Sequence, residues 1–331
     1  MLNSCKRWIG HFFALFTQAK SFRDNPLIGN RLLNRMGLHV IRIVIAHGFF
    51  WLRQQLLFYL VTTEERQQLR RQGFLVVPNC LSPEQLELLN KDFKRCMVDN
   101  TTTNNNIADI NTVGHSIKST QGDTSSLSCL LTPAVQNQLA ATASTVNQAA
   151  ILNRLRYASG TFLSPWFYFL RIARSGKINS ADPQKTPHAD AFHPTMKAWL
   201  FLNDVDADNG PFCYFPGSHR LTLKRLRWEY RQSLSAKTSS NFYTSRGSFR
   251  LAKADQSALE LAPIKSFAVP ANTLIIANTY GFHCRGQAQA NAQRDSLWAS
   301  AWRMPFIPVP LPDGAAIRQF FYSKMQKKLA P

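Results

Sequence analysis

Short runs of apolar and aromatic residues, each ended by a turn signal, dominate the second half of the chain. The runs are Phe167–Ala173, Met196–Leu202, Phe212–Phe215, Thr273–Ala277 and Leu297–Met304. The turn signals between them are Asn209-Gly210-Pro211, Pro216-Gly217-Ser218 and Pro270-Ala271-Asn272. Many short strands with such punctuation predict a sandwich or a barrel rather than a parallel, helix-covered sheet.

Helices are predicted before this strand region and also between its two blocks of strands. The sequence Ser82-Pro83-Glu84-Gln85 is typical of a helix start, with serine as the cap, proline in the first turn and glutamine completing a capping box. Leu86, Leu89 and Phe93 then recur at helical spacing. A basic helical stretch, residues 224–231, lies within residues 221–261, which we predict to be an insertion over one face. The polar tract Asn100–Asn106 predicts an exposed loop.

The most hydrophobic segment is Gly37–Val61, near the N-terminus. Arg42 and Arg53 interrupt it and leave ten residues without formal charge, whereas a helix that spans a membrane needs about twenty. One stripe of such a helix would carry His39, Arg42, Ala46 and Arg53. Two interpretations stay open: an interfacial helix with its cations toward lipid headgroups, or a helix packed on the main domain.

Composition divides the chain into a basic helical N-terminal region, residues 1–72, and a strand-rich domain, residues 73–331. The 331 residues carry a formal net charge of +20, which attracts phosphates, carboxylates, anionic lipid or nucleic acid. The six cysteines are scattered and form no C-x-x-C pair. This usage indicates reduced thiols in a cytoplasmic protein rather than a disulfide framework or a zinc knuckle.

The candidate chemistry lies in an H-x-D pair, His188 and Asp190, and in His283, 93 residues after Asp190. Residues i and i+2 of an extended segment point to the same side, so the H-x-D pair can contact one ion. Two imidazoles and one carboxylate on one face of iron(II) leave three coordination positions open. Arg294 follows eleven residues after His283, and a guanidinium there can bind a carboxylate through two parallel hydrogen bonds.

With these residues and the Asn-Gly-Pro and Pro-Gly-Ser-His turns that end at Pro211 and His219, the chain resembles the phytanoyl-CoA dioxygenase family. The resemblance covers roughly residues 73–306. It implies an α+β protein with a mainly β core, folded as a double-stranded β-helix, or jelly roll. Flanking helices and an N-terminal helical extension would surround that core.

The resemblance also implies roles for individual side chains. The implied iron(II) ligands are His188, Asp190 and His283. Arg294 is implied to anchor the far carboxylate of 2-oxoglutarate, and Trp199 looks like the counterpart of a tryptophan that lines the co-substrate pocket in some relatives. The co-substrates would be 2-oxoglutarate and O2, with ascorbate as a candidate reductant. Related halogenases lack the carboxylate ligand, so Asp190 favours hydroxylation.

One residue departs from the family pattern. Arg285 stands two positions after the distal histidine, where relatives often carry a small hydroxyl residue, and it could add a cation to the co-substrate pocket or point toward substrate. Tyr168 and Arg171 are weaker candidates for a further co-substrate contact and are interpreted as strand residues. His193 and His219 are not assigned as ligands, because the first lacks same-side spacing and the second belongs to a turn.

Charge and hydropathy indicate the substrate class. Residues 220–261 hold nine lysines and arginines against three acidic residues, which favours an anionic substrate near that insertion. The apolar N-terminal region favours a lipid-linked substrate and peripheral contact with an anionic membrane, on the cytoplasmic face of the inner membrane. Some relatives with a basic, apolar N-terminus are thought to hydroxylate Kdo, an acidic sugar of lipopolysaccharide, which would explain both features.

Three alternatives stay open for the function. An oxygenase of this kind can act on an acyl-CoA or another small metabolite. It can also act on nucleic acid, since the run Arg225–Arg231 interleaves cations with aromatic residues, although no nucleic-acid motif accompanies that run. The third alternative is a jelly roll that binds a ligand without catalysis. The sequence does not indicate an oligomeric state.

Overall fold

The computed structural model describes residues 2–97, 116–174 and 182–314. The predicted loop Asn100–Asn106 lies outside these residues. The strands of the described residues are β1 (Phe74–Val77), β2 (Ser116–Gln121), β3 (Thr124–Leu130), β4 (Trp166–Arg174), β5 (Met196–Phe201), β6 (Phe212–Tyr214), β7 (Lys265–Ser266), β8 (Leu274–Asn278), β9 (His283–Arg285) and β10 (Gln293–Ser300).

These strands form two antiparallel sheets. The larger sheet has the order β1-β8-β5-β10-β4-β3-β2, and the smaller one has the order β7-β6-β9. Aromatic side chains of both sheets share one buried cluster, which includes Phe201 of β5 and Tyr214 of β6. The fold is therefore a double-stranded β-helix with flanking helices, which confirms the predicted fold class.

The central strands of the larger sheet are apolar on both faces. On β5, Ala198 and Leu200 point into a core beneath the flanking helices, whereas Trp199 and Phe201 point between the two sheets. Successive side chains of a strand alternate between faces. A strand covered on both sides therefore needs a continuous apolar run, which is what residues 196–202 provide.

The observed strands differ from the predicted ones in two places, and in both the sequence is polar. The predicted strand Leu297–Met304 is displaced, because β10 begins at Gln293 and ends at Ser300. The hairpin of β2 and β3 was not predicted at all. Its sequences, SIKSTQ and TSSLSCL, are rich in serine and threonine, and most of the described side chains of this hairpin are exposed or half-buried. A hydropathy pattern gives little signal for such a strand.

Eleven α-helices lie in the described residues. They are α1 (Leu2–Phe13), α2 (Arg31–Arg35), α3 (Leu38–Leu56), α4 (Thr63–Gln72), α5 (Pro83–Cys96), α6 (Pro133–Gln136), α7 (Ala140–Asn147), α8 (Ala149–Ser159), α9 (Leu223–Ser235), α10 (Phe242–Ser245) and α11 (Lys253–Ala258). Short 3₁₀ helices span Ala14–Phe16, Phe58–Leu60, Pro183–Lys185 and Ala236–Thr238. The predicted capping box is present at the start of α5, where Ser82 and Gln85 each accept a backbone N–H of the other.

Helix α3 packs on the main domain, and its cationic stripe faces inward. His39, Arg42 and Arg53 are at most 4 % exposed, so the interpretation that they face lipid headgroups is wrong. The opposite stripe is exposed and apolar. It carries Ile41, Val44, Ile45, Trp51, Leu52 and Leu56. None of the helices in the described residues has the length and hydropathy that a bilayer-crossing segment needs.

Each buried polar residue of α3 contacts a different part of the protein. His39 Nε2 lies 3.1 Å from a carboxylate oxygen of Glu229 on α9. Arg53 donates a hydrogen bond to the carbonyl oxygen of Met304 at 3.0 Å. Arg42 donates to the carbonyl oxygens of Leu15, Thr17 and Ala19 at 2.8, 3.2 and 2.7 Å. The inward stripe therefore anchors three segments that are distant in sequence.

Replacing Arg42 by methionine should lower the free energy of unfolding by about 2–4 kcal/mol, because three carbonyl oxygens lose charged donors. Urea denaturation measures this loss, and limited proteolysis should cut residues 14–20 faster than in the wild type. Arg31→Met removes an exposed cation from neighbouring α2 and should change the free energy by less than about 0.5 kcal/mol. Equal stability of the Arg42→Met protein and the wild type would contradict the anchoring role.

Candidate metal and co-substrate site

The H-x-D segment is held beside β9 by backbone hydrogen bonds. The N–H of His188 donates to the carbonyl oxygen of His283 at 2.9 Å, and the N–H of His283 donates back to that of His188 at 3.0 Å. The N–H of Asp190 donates to the carbonyl oxygen of Thr279 at 2.9 Å. On its other side, His188 forms a bridge with Arg250, which lies within the insertion of residues 221–261. The segment thus continues the smaller sheet.

This pairing brings three donor atoms to one point. Nε2 of His188 and Nε2 of His283 each lie 3.8 Å from Oδ1 of Asp190, and all three donors lie within 4.8 Å of one another. Metal–donor bonds of about 2.1 Å put neighbouring donors of an octahedral ion about 3 Å apart. A shift of less than about 1 Å would bring these side chains onto one ion. In the described residues, no other group of three histidine, cysteine or acidic side chains converges in this way.

Both imidazoles present the correct nitrogen for a metal. Nδ1 of His188 lies 2.8 Å from the carbonyl oxygen of Thr186, and Nδ1 of His283 lies 2.9 Å from that of Gly281. A carbonyl oxygen can only accept, so each Nδ1 carries the proton and donates it. This leaves the lone pair on Nε2, where an ion would bind, and fixes the ring orientation.

The electrostatic environment keeps the donors in their ligating forms. Burial lowers the pKa of His188 well below its usual value and also lowers that of His283, so both imidazoles stay neutral. Burial alone would raise the pKa of Asp190, but Lys197 and the two imidazoles outweigh it and hold that pKa well below its usual range. Lys197 Nζ lies 2.8 Å from Oδ2 of Asp190.

Arg294, on β10, is a buried cation between the two sheets, where its guanidinium lies 5.7 Å from the ring centroid of Phe201. Its side chain is 5 % exposed, and burial, together with Arg285, lowers its pKa to about 9. It donates one hydrogen bond, to the carbonyl oxygen of Gly210. No carboxylate of the described residues lies within ion-pair distance of Arg294. A buried, uncompensated guanidinium costs free energy, so this position suits an anionic ligand.

Arg285 has an acidic partner of its own. Its Nη1 donates to Oδ2 of Asp182 at 2.7 Å, and the side chain of Asp182 is fully buried. The charge of Arg285 is therefore compensated within the protein, unlike that of Arg294. The two roles considered for Arg285, a cation in the co-substrate pocket and a contact to substrate, stay predictions.

The remaining candidates take structural positions. Arg171 donates two hydrogen bonds of 2.9 Å to the carboxylate of Asp295, and the ring centroid of Tyr168 lies 5.0 Å from that of Trp298. His193 contacts the carbonyl oxygen of Pro194 through Nδ1. Neither His193 nor His219 belongs to the cluster of three donors.

The ring of Phe212 lies between Trp199 and the candidate ligand His283. Trp199 is 8 % exposed, and its ring centroid lies 4.6 Å from that of Phe212. The centroid of Phe212 lies in turn 5.8 Å from that of His283. Trp199 therefore belongs to the apolar wall between the sheets that adjoins the candidate ligands.

Two lysines near Asp190 were not identified from the sequence. Lys197 pairs with the carboxylate, and its signal was a single charge inside an apolar strand. Lys20 donates to the backbone carbonyl oxygen of Asp190. Burial and the nearby Arg303 lower the pKa of Lys20 to about 8. No local pattern marks Lys20, because its contact lies 170 positions away along the chain.

The basic helix α9 buries one of its faces, which carries Arg225, Trp228, Glu229 and Ser233. Arg225 and Glu229 are each 2 % exposed and form an ion pair of 3.0 Å, and Trp228 is fully buried. Trp228 therefore cannot stack on bases, which weakens the nucleic-acid interpretation of this run.

Comparison with known proteins places the chain in a family. No curated protein matches it in sequence. Similar solved structures include the α-ketoglutarate-dependent epimerase SnoN from nogalamycin biosynthesis, at 15% identity over 72% of this chain and 80% of SnoN, with a TM-score of 0.45. HygX from Streptomyces hygroscopicus, solved with nickel and 2-oxoglutarate, has 15% identity over 72% of this chain and 86% of HygX, with a TM-score of 0.41. AviO1 from Streptomyces viridochromogenes Tue57 has 13% identity over 77% of this chain and 99% of AviO1, with a TM-score of 0.44.

TM-scores below 0.5 are too low for these three likenesses to carry weight. The decisive match is to the family described as phytanoyl-CoA dioxygenase (PhyH), which extends over residues 69–317 and so covers most of the chain. This confirms the resemblance seen in the motifs. Members of this family use iron(II), 2-oxoglutarate and O2. The chain therefore belongs to the phytanoyl-CoA dioxygenase family of iron- and 2-oxoglutarate-dependent oxygenases.

Proposed function

We propose that the protein hydroxylates an anionic, lipid-linked substrate at a membrane surface. The observation that carries the reaction class is the convergence of His188, Asp190 and His283, together with the buried, uncompensated guanidinium of Arg294 between the two sheets. The observation that carries the membrane location is the exposed apolar stripe of α3. Each part of the proposal has its own experiment.

In this proposal, His188, Asp190 and His283 hold iron(II). The two Nε2 lone pairs and one carboxylate oxygen are a donor set that suits iron(II), and they would leave coordination positions for 2-oxoglutarate and O2. When bound, the ion and 2-oxoglutarate supply the oxidising chemistry. The protein orients the ligands through the carbonyl oxygens of Thr186 and Gly281, which fix both imidazole rings. The carboxylate of Asp190 occupies the position that halogenases leave to halide, which favours hydroxylation.

Arg294 would bind the far carboxylate of 2-oxoglutarate. One of its N–H groups is used by Gly210, and the remaining donors can form a bidentate pair with a carboxylate. Trp199 and Phe212 would form the apolar wall that excludes water from this pocket. Burial makes the interaction strong, because a low dielectric strengthens the attraction between the two charges.

The membrane part of the proposal depends on where apolar side chains are exposed. Of the 21 large hydrophobic side chains that are exposed in the described residues, 15 lie between Trp8 and Tyr59. They include Trp8, Phe12, Phe13, Phe16, Leu32 and Met36 on or beside α1 and α2. An apolar surface of this extent, rich in aromatic residues, is typical of a protein that lies in the interface of a bilayer.

Cations accompany this apolar surface. Lys6, Arg7, Arg31 and Arg35 are exposed on α1 and α2, and basic residues near a bilayer attract anionic headgroups. The proposed occupant of the surface is therefore an anionic lipid bilayer. On this basis we assign membrane contact to residues 1–72 and catalysis to residues 73–331, with the protein on the cytoplasmic face of the inner membrane.

Kdo in the inner core of lipopolysaccharide is the specific substrate that fits this proposal. It is a carboxylate sugar, and its lipid anchor bears phosphates. Its negative charges would bind the basic insertion, and its lipid anchor would hold it at the membrane that the N-terminal helices contact. In this arrangement the enzyme would hydroxylate such a headgroup while its N-terminal helices bind the same membrane.

Replacing Asp190 by alanine should weaken the binding of Mn²⁺ by at least about 100-fold, since the one carboxylate of the proposed ligand set is lost. Isothermal titration calorimetry with Mn²⁺, used as an oxygen-stable substitute for iron(II), measures the affinity. His193→Gln is the matched control and should retain the wild-type affinity. Equal affinities for the wild type and Asp190→Ala would exclude this site as the metal centre.

With iron(II) and 2-oxoglutarate, the wild type should release succinate and add one oxygen atom to a Kdo-bearing glycolipid. Arg294→Gln should raise the KM for 2-oxoglutarate at least about tenfold, because a buried charge-assisted pair is lost, while Mn²⁺ affinity stays unchanged. Succinate release and mass spectrometry measure the two outcomes, with Lys94→Gln on α5 as the control. Succinate release with an unaltered glycolipid would reject the substrate and leave the reaction class intact.

The double variant Ile45→Glu with Trp51→Glu should lower partitioning onto phosphatidylglycerol-containing vesicles at least about tenfold, because it places two charges on the apolar stripe. Co-sedimentation measures this partitioning. Leu88→Glu, at an equally exposed leucine of α5, should partition like the wild type. The lipid-binding face would be refuted if the double variant partitions onto vesicles like the wild type. It would also be refuted if neither protein binds vesicles and the wild type instead forms a dimer, detected by sedimentation, that the double variant does not form.

A further inference from the structure

The N-terminal region reaches the candidate metal site through Lys20. The ammonium group of Lys20 donates a hydrogen bond to the backbone carbonyl oxygen of Asp190. The match to the family begins only at residue 69. The contact is therefore made by a part of this chain that precedes the shared catalytic domain.

The segment that carries Lys20 is fixed on both sides. Arg42 donates to three carbonyl oxygens of residues 15–19, just before Lys20. The N–H of Arg23 donates to the carbonyl oxygen of Ser245 at 3.0 Å. The backbone of Gly247, with a φ of 78°, lies so close to the carbonyl group of Lys20 that no Cβ atom would fit there. Lys20 is thus positioned by the protein rather than free in solvent.

Two further cations adjoin the segment that carries Asp190. Lys197 pairs with the carboxylate of Asp190, and Arg250 is bridged through its backbone to His188. The guanidinium of Arg250 lies 3.3 Å from Oγ of Ser248, which donates to the carbonyl oxygen of Ala189 at 2.8 Å. Lys20 and Arg250 therefore lie beside the neighbouring backbone carbonyls of Asp190 and Ala189. All three cations are half-buried, so none is sealed from solvent.

Lys20 and Arg250 have no compensating acid in the part of the chain that the structure describes. The guanidinium of Arg250 lies 4.4 Å from the ring centroid of Tyr243. No described carboxylate lies within ion-pair distance of Lys20 or of Arg250. The nearby acid, Asp190, is paired with Lys197 and is a proposed metal ligand.

The charges of the proposed cofactors do not resolve this imbalance. Iron(II) brings two positive charges and 2-oxoglutarate brings two negative ones, so their sum leaves the surplus of cations unchanged. Like charges held close together repel, and the repulsion is relieved when an anion binds between them. The cluster is thus arranged to receive an oxyanion next to the metal.

We propose that Lys20 and Arg250 form an anion-binding subsite for the phosphate or sugar carboxylate of the substrate. The inference rests on the proposed function, since it names where the anionic group of that substrate would lie. Lys20 and its neighbours are positioning residues here. They would hold the substrate so that the carbon to be oxidised faces the metal. The N-terminal region would thereby contribute to substrate choice as well as to membrane contact.

Titration calorimetry of the protein loaded with Mn²⁺ and 2-oxoglutarate tests the subsite. Saturating 2-oxoglutarate keeps Arg294 occupied, so an added anion must bind elsewhere. The probes are inorganic phosphate and gluconate, a sugar carboxylate, at low ionic strength. Wild type should bind at least one of them saturably, and the preferred probe indicates whether phosphate or carboxylate is the recognised group.

Lys20→Gln and Arg250→Gln should each weaken binding of that probe at least about tenfold, the size expected for one charge-assisted hydrogen bond. Lys20→Arg retains the cation and should restore affinity to within about threefold. Lys94→Gln, which removes an exposed cation from α5, should bind like the wild type. A thermal melt of each variant shows whether the fold is intact.

The subsite would be overturned if the wild type binds neither probe saturably. It would also be overturned if Lys20→Gln and Arg250→Gln bind the probe as tightly as Lys94→Gln does. These results are separable from failure of the proposed function. Loss of 2-oxoglutarate turnover in the wild type would reject the enzyme activity, whereas the affinities for phosphate and gluconate report on the cations alone.

Discussion

Two backbone hydrogen bonds between His188 and His283 are the constraint on which the candidate site depends. They join a segment between β4 and β5 to a strand almost one hundred residues later. Their geometry places both imidazoles on one side, where Asp190 completes the set. Each imidazole is then fixed by a carbonyl oxygen two residues before it. The site is preorganised by backbone geometry, and side-chain flexibility contributes little to its assembly.

Buried cations in this protein differ in whether the protein itself compensates them. Arg225 is paired with Glu229, and Arg285 is paired with Asp182, so both serve the fold. Arg294 has no such partner among the described residues and is 5 % exposed. Arg42 and Arg53 are also buried without an acidic partner, but each donates to two or more carbonyl oxygens, whereas Arg294 donates to one. An unpaired buried charge with unused donors is expensive, and for this reason we propose that Arg294 binds an anionic ligand.

Helix α3 links the catalytic core with the surface that we propose to touch the membrane. Its polar stripe is buried, because His39, Arg42 and Arg53 satisfy acceptors on three separate segments. Its apolar stripe is left exposed, against the usual preference of soluble proteins. Arg42 also holds the segment that brings Lys20 to Asp190. The same helix therefore connects the proposed lipid surface with the proposed substrate subsite.

The sequence by itself determined the local features: the capping box at Ser82, the apolar strands, the donor types and the identity of the family. Short-range rules suffice for these, since caps, strand alternation and ligand chemistry depend on neighbouring residues. The tertiary structure alone decided which stripe of α3 faces inward, because a helical period defines a stripe and not its surroundings. It alone decided that Asp182 compensates Arg285 and that Lys20 reaches Asp190. Those contacts join residues more than one hundred positions apart, and no local pattern specifies them.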